Sequence, residues 1–445
     1  MKLYKIITII ITLFSLQNST AQSQKKLNTY ISLLNDNNRA MGGVTISRDN
    51  NVAYENYFGF SNIETKLDIN KQTLFRIGSV TKMFTAVICF QLIEENKLKL
   101  EDTLEAFFPQ ATNASKITIA NLLSHRSGIM DYTKDSEFMK NYTKHIDNEK
   151  LIKKITSYPS NFQSGSTAEY SNSNYILLGK IIELVSNTSY EEQLKNRIIK
   201  KLGLKRTFYA KPIEKEKNEA KSYYRNNENW ESYSDTNPSY SATAGAIVST
   251  SRDLNLFIGA LKNYQLISNK SLKVMNTITD GLGSGMFQTQ FGSRVSKGHS
   301  GLIDGFNSFT GYFEKDNVTI SLTLNGTVDN SFEILSSIIK IYFKEPFTMP
   351  NYSIKHAELT LDELNNYLGT FISKTAPFEL TLTQEGGQLM GQASHGSSKI
   401  LLTTNNKNLF ENKDMGIKII FDLDNPYKKF TLFMTGMEEY KFIKK

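Results

Sequence analysis

Apolar positions fall into separate blocks along the chain, and their spacing differs from block to block. Ile6 to Leu16 is an apolar run broken only by Thr8, Thr12 and Ser15, with Lys2 and Lys5 before it and Ser19-Thr20-Ala21 after it. A positive start, a short apolar stretch and small residues ahead of Gln22 predict a secretory signal peptide cut after Ala21. The run is too short for a membrane span of about 20 residues. Val44–Ile46 and Val52–Phe58 flank Arg48-Asp49-Asn50-Asn51 and predict an early β-hairpin. Thr81 to Glu95 is apolar nearly all round, the pattern of a helix at the centre of a protein. Tyr175 to Val185 places Leu178, Ile181, Ile182 and Val185 on one helical stripe. Residues 211–240 are rich in Lys, Glu, Asn, Tyr and Ser and read as a long surface excursion. Thr250 with Asp253 has the spacing of a capping box, with Asp in place of Glu.

Ser308–Phe313 and Thr319–Leu324 predict a second hairpin, and Phe332–Phe343 a terminal helix. Pro346 and Pro350 then mark a linker. Beyond Leu361 the pattern shortens to strands: Phe378, Leu380 and Leu382 alternate, Gly386-Gly387 turns the chain, and 400–402, 417–421, 430–433 and 440–443 follow. Short strands punctuated by turns predict a small barrel or sandwich. The expected organisation is a signal peptide at 1–21, a main domain at 22–345, a linker at 346–358 and an all-β domain at 359–445.

Composition narrows the class. The chain has 445 residues, 39% hydrophobic and 22% charged, as in an ordinary globular protein. The formal charge of +8 falls to +6 without Lys2 and Lys5. The lysines are scattered among acids, with no basic stripe for nucleic acid. Cys89 is the single cysteine, so no intramolecular disulfide forms and no lipoprotein cysteine lies near the cut. Its apolar neighbours predict an inert core thiol. Five scattered histidines show no metal-ligand spacing, and no cofactor is expected.

Candidate chemistry begins at Ser79-Val80-Thr81-Lys82, a Ser-x-x-Lys pair that Ser23/Lys26 and Ser337/Lys340 repeat elsewhere. Only Ser79 stands at the mouth of the buried helix, where free N–H groups and the positive end of the dipole favour developing negative charge. Lys82 lies one turn on along the same face, and a desolvated lysine there loses proton affinity and can accept the serine proton. Tyr170-Ser171-Asn172 occupies a polar loop leading into the second helix, where a phenol can relay a proton and Asn172 can bond Lys82 and a substrate amide. His299-Ser300-Gly301 is the one His-x-Gly in the chain, with small residues that let a strand edge approach a ligand backbone. Taken singly, each has an ordinary explanation: a serine cap with a surface lysine, a packed core tyrosine, a glycine-rich turn with a surface histidine.

Together, and with their flanks, these segments resemble the class C β-lactamase and D-alanyl-D-alanine carboxypeptidase family of serine hydrolases. The resemblance is carried by Phe75-Arg76-Ile77-Gly78-Ser79-Val80-Thr81-Lys82, Leu122-Leu123-Ser124-His125-Arg126-Ser127-Gly128, Tyr170-Ser171-Asn172-Ser173-Asn174-Tyr175, Gly245-Ala246-Ile247-Val248-Ser249-Thr250 and the His299 segment. It covers about Thr29 to Phe343. It implies an α+β fold of the β-lactamase/transpeptidase type: an antiparallel sheet flanked by helices, a helical subdomain, and the site between them. The C-terminal part is similar to the lipocalin-like extensions of some members. The resemblance implies acylation of Ser79 and hydrolysis of the acyl-enzyme, with Lys82 as base and Tyr170 as proton donor to the leaving group and activator of water. Asn172 would orient substrate, the N–H groups of Ser79 and Leu302 would hold the oxyanion beside Gly301, and Asn325 would touch substrate. The family's β-lactamases and penicillin-binding proteins usually carry lysine where this chain has His299; members with histidine include esterases, amidases and peptidases acting on D-residues.

The expectation is therefore an exported, periplasmic or secreted serine hydrolase acting on an ester or the amide of a D-residue. Its substrate is small or peptidic, peptidoglycan fragments included, with no nucleic acid partner and no membrane span after signal cleavage. The alternatives are a β-lactamase or D-alanyl-D-alanine carboxypeptidase, and, in a different class, a penicillin-binding sensor or non-catalytic envelope protein.

Overall fold

A computed structural model of the chain describes residues 22–209, 211, 218–226, 229–352, 359–385, 388–394, 399–412, 416–434 and 439–445. The expected signal peptide and the Gly386-Gly387 turn lie outside the described residues. The chain divides into two compact units, the first running to Ser331 and including Leu335–Pro346, the second comprising Phe332–Ile334 and Phe347–Lys445. Among the described residues no helix is long and apolar enough to cross a membrane.

The first unit is built on a six-stranded antiparallel sheet in the order Phe287–Phe291, Arg294–Ile303, Phe306–Phe313, Val318–Thr327, Ala40–Arg48, Asn51–Phe58. Both expected hairpins are part of it, and Ala40–Arg48 pairs with Val318–Thr327 to join the two ends of the unit's sequence. The central strands are buried along almost their whole length, so they lack the alternation of a half-exposed strand. Helix Ser251–Lys262 packs on this sheet through a polar seam. Ser47 Oγ donates to Asn255 Oδ1 at 2.5 Å, Asn255 Nδ2 donates to the Thr45 carbonyl at 3.1 Å, and Thr319 Oγ1 donates to Asn255 Oδ1 at 3.1 Å. Each buried hydroxyl in that seam has a partner, which is the condition for burying it at little cost.

Helix Thr81–Glu94 has twelve buried residues, as its all-round apolar pattern requires. It is fixed against Ser251–Lys262 by Phe84 and Phe257, stacked with ring centroids 3.8 Å apart. Cys89 is fully buried beside them, and desolvation pushes its thiol pKa up, which leaves it inert. The second helix spans Asn172–Ser186 and so begins three residues before its apolar stripe, because the first turn bonds outward: Ser173 Oγ donates to the Met130 carbonyl at 2.6 Å. Thr250 caps its helix by accepting from the Asp253 N–H, but the reciprocal half of the box is missing. The Asp253 carboxylate accepts instead from the Arg206 N–H and from Thr207 Oγ1.

As far as they are described, residues 211–240 are the surface excursion their polarity suggests only in part: Tyr224, Asn226, Asn229 and 231–235 are exposed, while other positions pack inward. Ala220, Ser222 and Tyr223 are buried, Tyr223–Asn226 pairs with Asn229–Ser232, and a helix starts at Pro238. Tyr223 can be buried because its hydroxyl accepts from the Ile63 N–H at 2.9 Å and donates to Glu64 at 2.8 Å.

In the second unit eight antiparallel strands close into a barrel: Gly369–Ser373, Leu380–Glu385, Gln388–Ala393, Ile400–Asn406, Leu409–Asn412, Ile417–Phe421, Lys429–Met434 and Tyr440–Lys444. Phe371, Phe410, Phe421, Phe430 and Phe442 fill its core. The strands at 369–373, 388–393 and 409–412 are absent from the sequence reading, since each brings only one or two apolar side chains inward.

The Phe84–Phe257 stack predicts that Phe257→Ala destabilises the first unit by about 3–5 kcal/mol, the range for truncating a buried phenylalanine. Urea unfolding followed by circular dichroism is the check, with an unchanged midpoint as the contrary result.

Candidate active site

The chain enters the site along the short strand Phe75–Arg76 and turns at Gly78, whose φ is +48°. A β-carbon on Gly78 would sit 2.9 Å from the Leu302 nitrogen, and one on Gly301 would sit 2.0 Å from the Ile77 carbonyl oxygen. The strand edge at Gly301-Leu302 thus passes the Ser79 turn at backbone contact, which two facing glycines permit. Ser308 Oγ pins the approach by donating to the Ile77 carbonyl at 2.7 Å. Ser79 and Leu302 both line a cleft of ≈ 310 Å³, together with Asn172, Tyr132, Tyr240 and Asp304. A larger hollow of ≈ 560 Å³, walled by His145, Lys180 and Tyr190 among others, includes none of the residues singled out from the sequence.

Beneath Ser79 the Lys82 amine is fully buried. It lies 3.0 Å from Ser79 Oγ, 2.8 Å from Asn172 Oδ1 and 2.9 Å from the Ala244 carbonyl oxygen. Desolvation lowers its pKa to about 7, against the opposing charge of Asp131. As a neutral amine it has two N–H bonds for the two carbonyl oxygens and one lone pair for the Ser79 proton. Asp131 is held one step away: Asn172 Nδ2 donates to its carboxylate at 2.9 Å. Asn172 therefore stands between cation and anion, offering oxygen to one and N–H to the other.

The Tyr170 phenol hydrogen-bonds Ser79, and burial raises its pKa, keeping it protonated at neutral pH. Lys82 Nζ lies 4.9 Å from the centre of its ring. On the ring's other contacts, His125 stacks at 4.4 Å between centroids, while Phe287 lies at 6.0 Å. His125 Nδ1 accepts from the Ser171 N–H at 3.1 Å, so this buried histidine clamps the Tyr170 loop. Burial first, then the charge of Lys82, holds the His125 pKa well below the usual histidine value.

His299 lies in the same pocket of rings, 4.1 Å from Phe287 and 6.3 Å from Tyr170 by centroids. It is buried, and desolvation first, then the Lys82 charge, pushes its pKa down to about 3. The imidazole is therefore neutral at neutral pH and offers no charge to a substrate carboxylate.

The structure thus brings Ser79, Lys82, Tyr170, Asn172, His299, Gly301 and Leu302 into one place. Asn325 is not with them: it is fully buried, and its amide donates to the carbonyls of Phe60 and Lys221 at 3.0 and 2.8 Å. Four participants carried no readable role in the sequence, namely Asp131, the Ala244 carbonyl, His125 and Phe287. His125 alone left a trace, as a member of the Leu122–Gly128 segment.

A mixed fold of this kind with a serine, a desolvated lysine and a tyrosine converging on one hydroxyl defines a class of serine hydrolase, and comparison with known proteins says which. The Beta-lactamase family matches residues 27–337, and the chain belongs to that family. It is 24% identical over 446 residues to penicillin-binding protein 4* of Bacillus subtilis (strain 168), an alignment covering 94% of this chain and 98% of that one. It is 26% identical over 323 residues to the teichoic acid D-alanine hydrolase of Staphylococcus aureus, covering 71% and 77% respectively. The crystal structure of a D-amino acid amidase from Ochrobactrum anthropi SV3 shares the fold, with a TM-score of 0.64 at 24% identity over 72% of this chain and 99% of that one. The protein is a serine hydrolase of this family.

Because Lys82 has a lone pair only when neutral, labelling of Ser79 by a neutral fluorophosphonate should rise with pH through a midpoint near 7. Asn172→Asp sets a carboxylate directly against the amine, which favours the ammonium, so the midpoint should move upward. Rates of label incorporation between pH 5 and 10 test both; a midpoint that is the same in the two proteins contradicts the role given to Asn172.

Proposed function

We propose that the protein is an exported hydrolase that cleaves an ester, or the amide of a D-residue, through an acyl-enzyme on Ser79. The observation that carries this reading is the 3.0 Å contact of a buried, proton-poor Lys82 amine with Ser79 Oγ. Ser79 attacks the substrate carbonyl as Lys82 takes its proton. Negative charge on the carbonyl oxygen goes to the N–H groups of Ser79 and Leu302, residues that adjoin the close backbone contact at Gly78 and Gly301. Tyr170, a neutral phenol bonded to Ser79, protonates the leaving alcohol or amine and recovers a proton from Lys82. In the second half-reaction Tyr170 takes a proton from water as its own phenol proton passes to the neutral Lys82 amine. The water oxygen adds to the acyl carbonyl, the acyl–Ser79 bond breaks, and Ser79 Oγ takes the proton back from Lys82 as the acid leaves. Asn172 holds Lys82 and orients the substrate.

Every residue given a role lies within 22–345, the proposed hydrolase domain; 346–358 is assigned as linker and 359–445 as an accessory β-domain. Export follows from the Lys2 to Ala21 segment. Its curated relatives include one named for hydrolysis of D-alanine on teichoic acid, which supports an envelope substrate. The neutral, buried His299 weighs against substrates anchored by a carboxylate, β-lactams among them.

Ser79→Ala and Lys82→Ala should each lose turnover of a D-aminoacyl ester by about three orders of magnitude or more, since nucleophile and base act as a unit. A Ser79→Ala protein as active as wild type would sink the reading. Incubated with benzylpenicillin, the wild-type protein should keep its mass and leave the drug intact; a Ser79 adduct or hydrolysed drug would move it to the β-lactam-reacting members instead.

A further inference from the structure

We propose that Asp304 is a specificity-determining residue that selects substrates bearing an ammonium group, the unblocked α-amine of a D-residue being the one nearest the scissile carbonyl. This rests on the reading of Ser79 as nucleophile. Among the described residues that line the cleft over Ser79, Asp304 is the one with a formally charged side chain. Both of its carboxylate oxygens are anchored: one accepts from the Thr236 N–H at 3.1 Å and the other from Thr236 Oγ1 at 2.6 Å. Thr236 is itself held by Arg76, which donates to its carbonyl at 2.8 Å. Each anchored oxygen retains a lone pair for a further donor. The carboxylate is therefore a fixed acceptor at the cleft wall, two residues past the Leu302 N–H.

The surrounding charges reinforce its sign. Asp235 lies close enough for the Asp304 charge to raise its pKa, although desolvation is the larger cause. Arg76, which bonds the Thr236 carbonyl, is paired with Glu219 at 3.2 Å; Lys221, whose charge reaches Asp235, is paired with Glu64 at 3.3 Å; and Lys134, next to Thr133 of the cleft, is paired with Glu169. Among the described residues that line the cleft none is cationic, and Lys82 beneath Ser79 is covered and half neutral near pH 7. A cleft with an anchored anion and a neutral imidazole in place of a cation suits an ammonium and repels a carboxylate.

Turn chemistry explains part of Asp304. Ile303 pairs with Phe306, so Asp304-Gly305 is the two-residue connection of a hairpin, and Asp304 has a φ of +52°. Aspartate and asparagine both tolerate that conformation. The turn accounts for one of these two residues; it does not account for a charge at the cleft. Asp304→Asn therefore separates the two roles, keeping the turn and removing the charge.

The test uses three p-nitroanilides of D-alanine: unblocked, N-acetyl and N-succinyl. Wild type at pH 7 should prefer the unblocked compound over the N-acetyl one by about tenfold in kcat/KM, with the N-succinyl compound last, and added salt should shrink the preference. In Asp304→Asn the ratio of unblocked to N-acetyl should fall to near one. The same order is expected in calorimetric binding of the three matching alaninamides to Ser79→Ala, and it should vanish in the Ser79→Ala/Asp304→Asn double variant. An unchanged ratio in Asp304→Asn, a preference for the N-succinyl compound, or no binding of any amide to Ser79→Ala overturns the assignment. Charge-selective binding without turnover in wild type would instead remove the hydrolase reading and leave the role of Asp304 standing.

Discussion

A lysine amine taken wholly out of water is the constraint around which the site is arranged. Burying an ammonium costs several kcal/mol unless its charge is answered, so the group either finds an anion or gives up its proton. Here Lys82 meets three oxygens, on Ser79, Asn172 and Ala244, and no carboxylate. The acid that could have answered it, Asp131, is engaged by the other end of the Asn172 amide. Burial brings the amine near its point of neutrality, where it can both take and return a proton, and Asn172, on the first turn of helix Asn172–Ser186, holds it there.

The position of Ser79 depends on backbone rather than side chains. Gly78 and Gly301 face each other across two elements far apart in sequence, and either β-carbon would collide with the backbone opposite. Behind this contact the sheet is tied to helix Ser251–Lys262 by hydroxyl and amide groups, and that helix is tied to the nucleophile helix by the Phe84–Phe257 stack. The nucleophile is therefore held from two sides by rigid elements, which is the condition for holding reacting groups in a productive geometry.

Charge at the mouth of the site follows a consistent pattern. The histidine in the strand beside Ser79 is neutral because it is packed among Phe287 and Tyr170, while the anchored acid at Asp304 stands at the cleft wall. The cations nearby are spent on Glu219 and Glu169. The same fold that in relatives binds penicillin or acts on D-alanine thus presents an anionic wall in this chain.

By itself the sequence determined the central buried helix, the Ser79–Lys82 pair at its mouth, both sheet hairpins and the presence of a C-terminal β-domain, because each of these is local: a period, a spacing of three residues or a turn between apolar runs. It also placed Tyr170, Asn172 and His299 at one site, through a resemblance that five ordered segments carry. Tertiary structure decided what local pattern cannot contain. That Asp131 stands behind Asn172, that His125 clamps Tyr170, and that the Ala244 carbonyl completes the lysine's shell depend on elements that meet only when folded. Residues 211–240 look polar enough for the surface, yet Tyr223 is buried because distant groups, Ile63 and Glu64, satisfy its hydroxyl. Asn325 stands at a strand end, as a substrate contact would, and the fold spends its amide on the carbonyls of Phe60 and Lys221 instead. Burial and partnership belong to pairs of residues remote in sequence, and it is those pairs that set the pKa of Lys82 and the charge of the cleft.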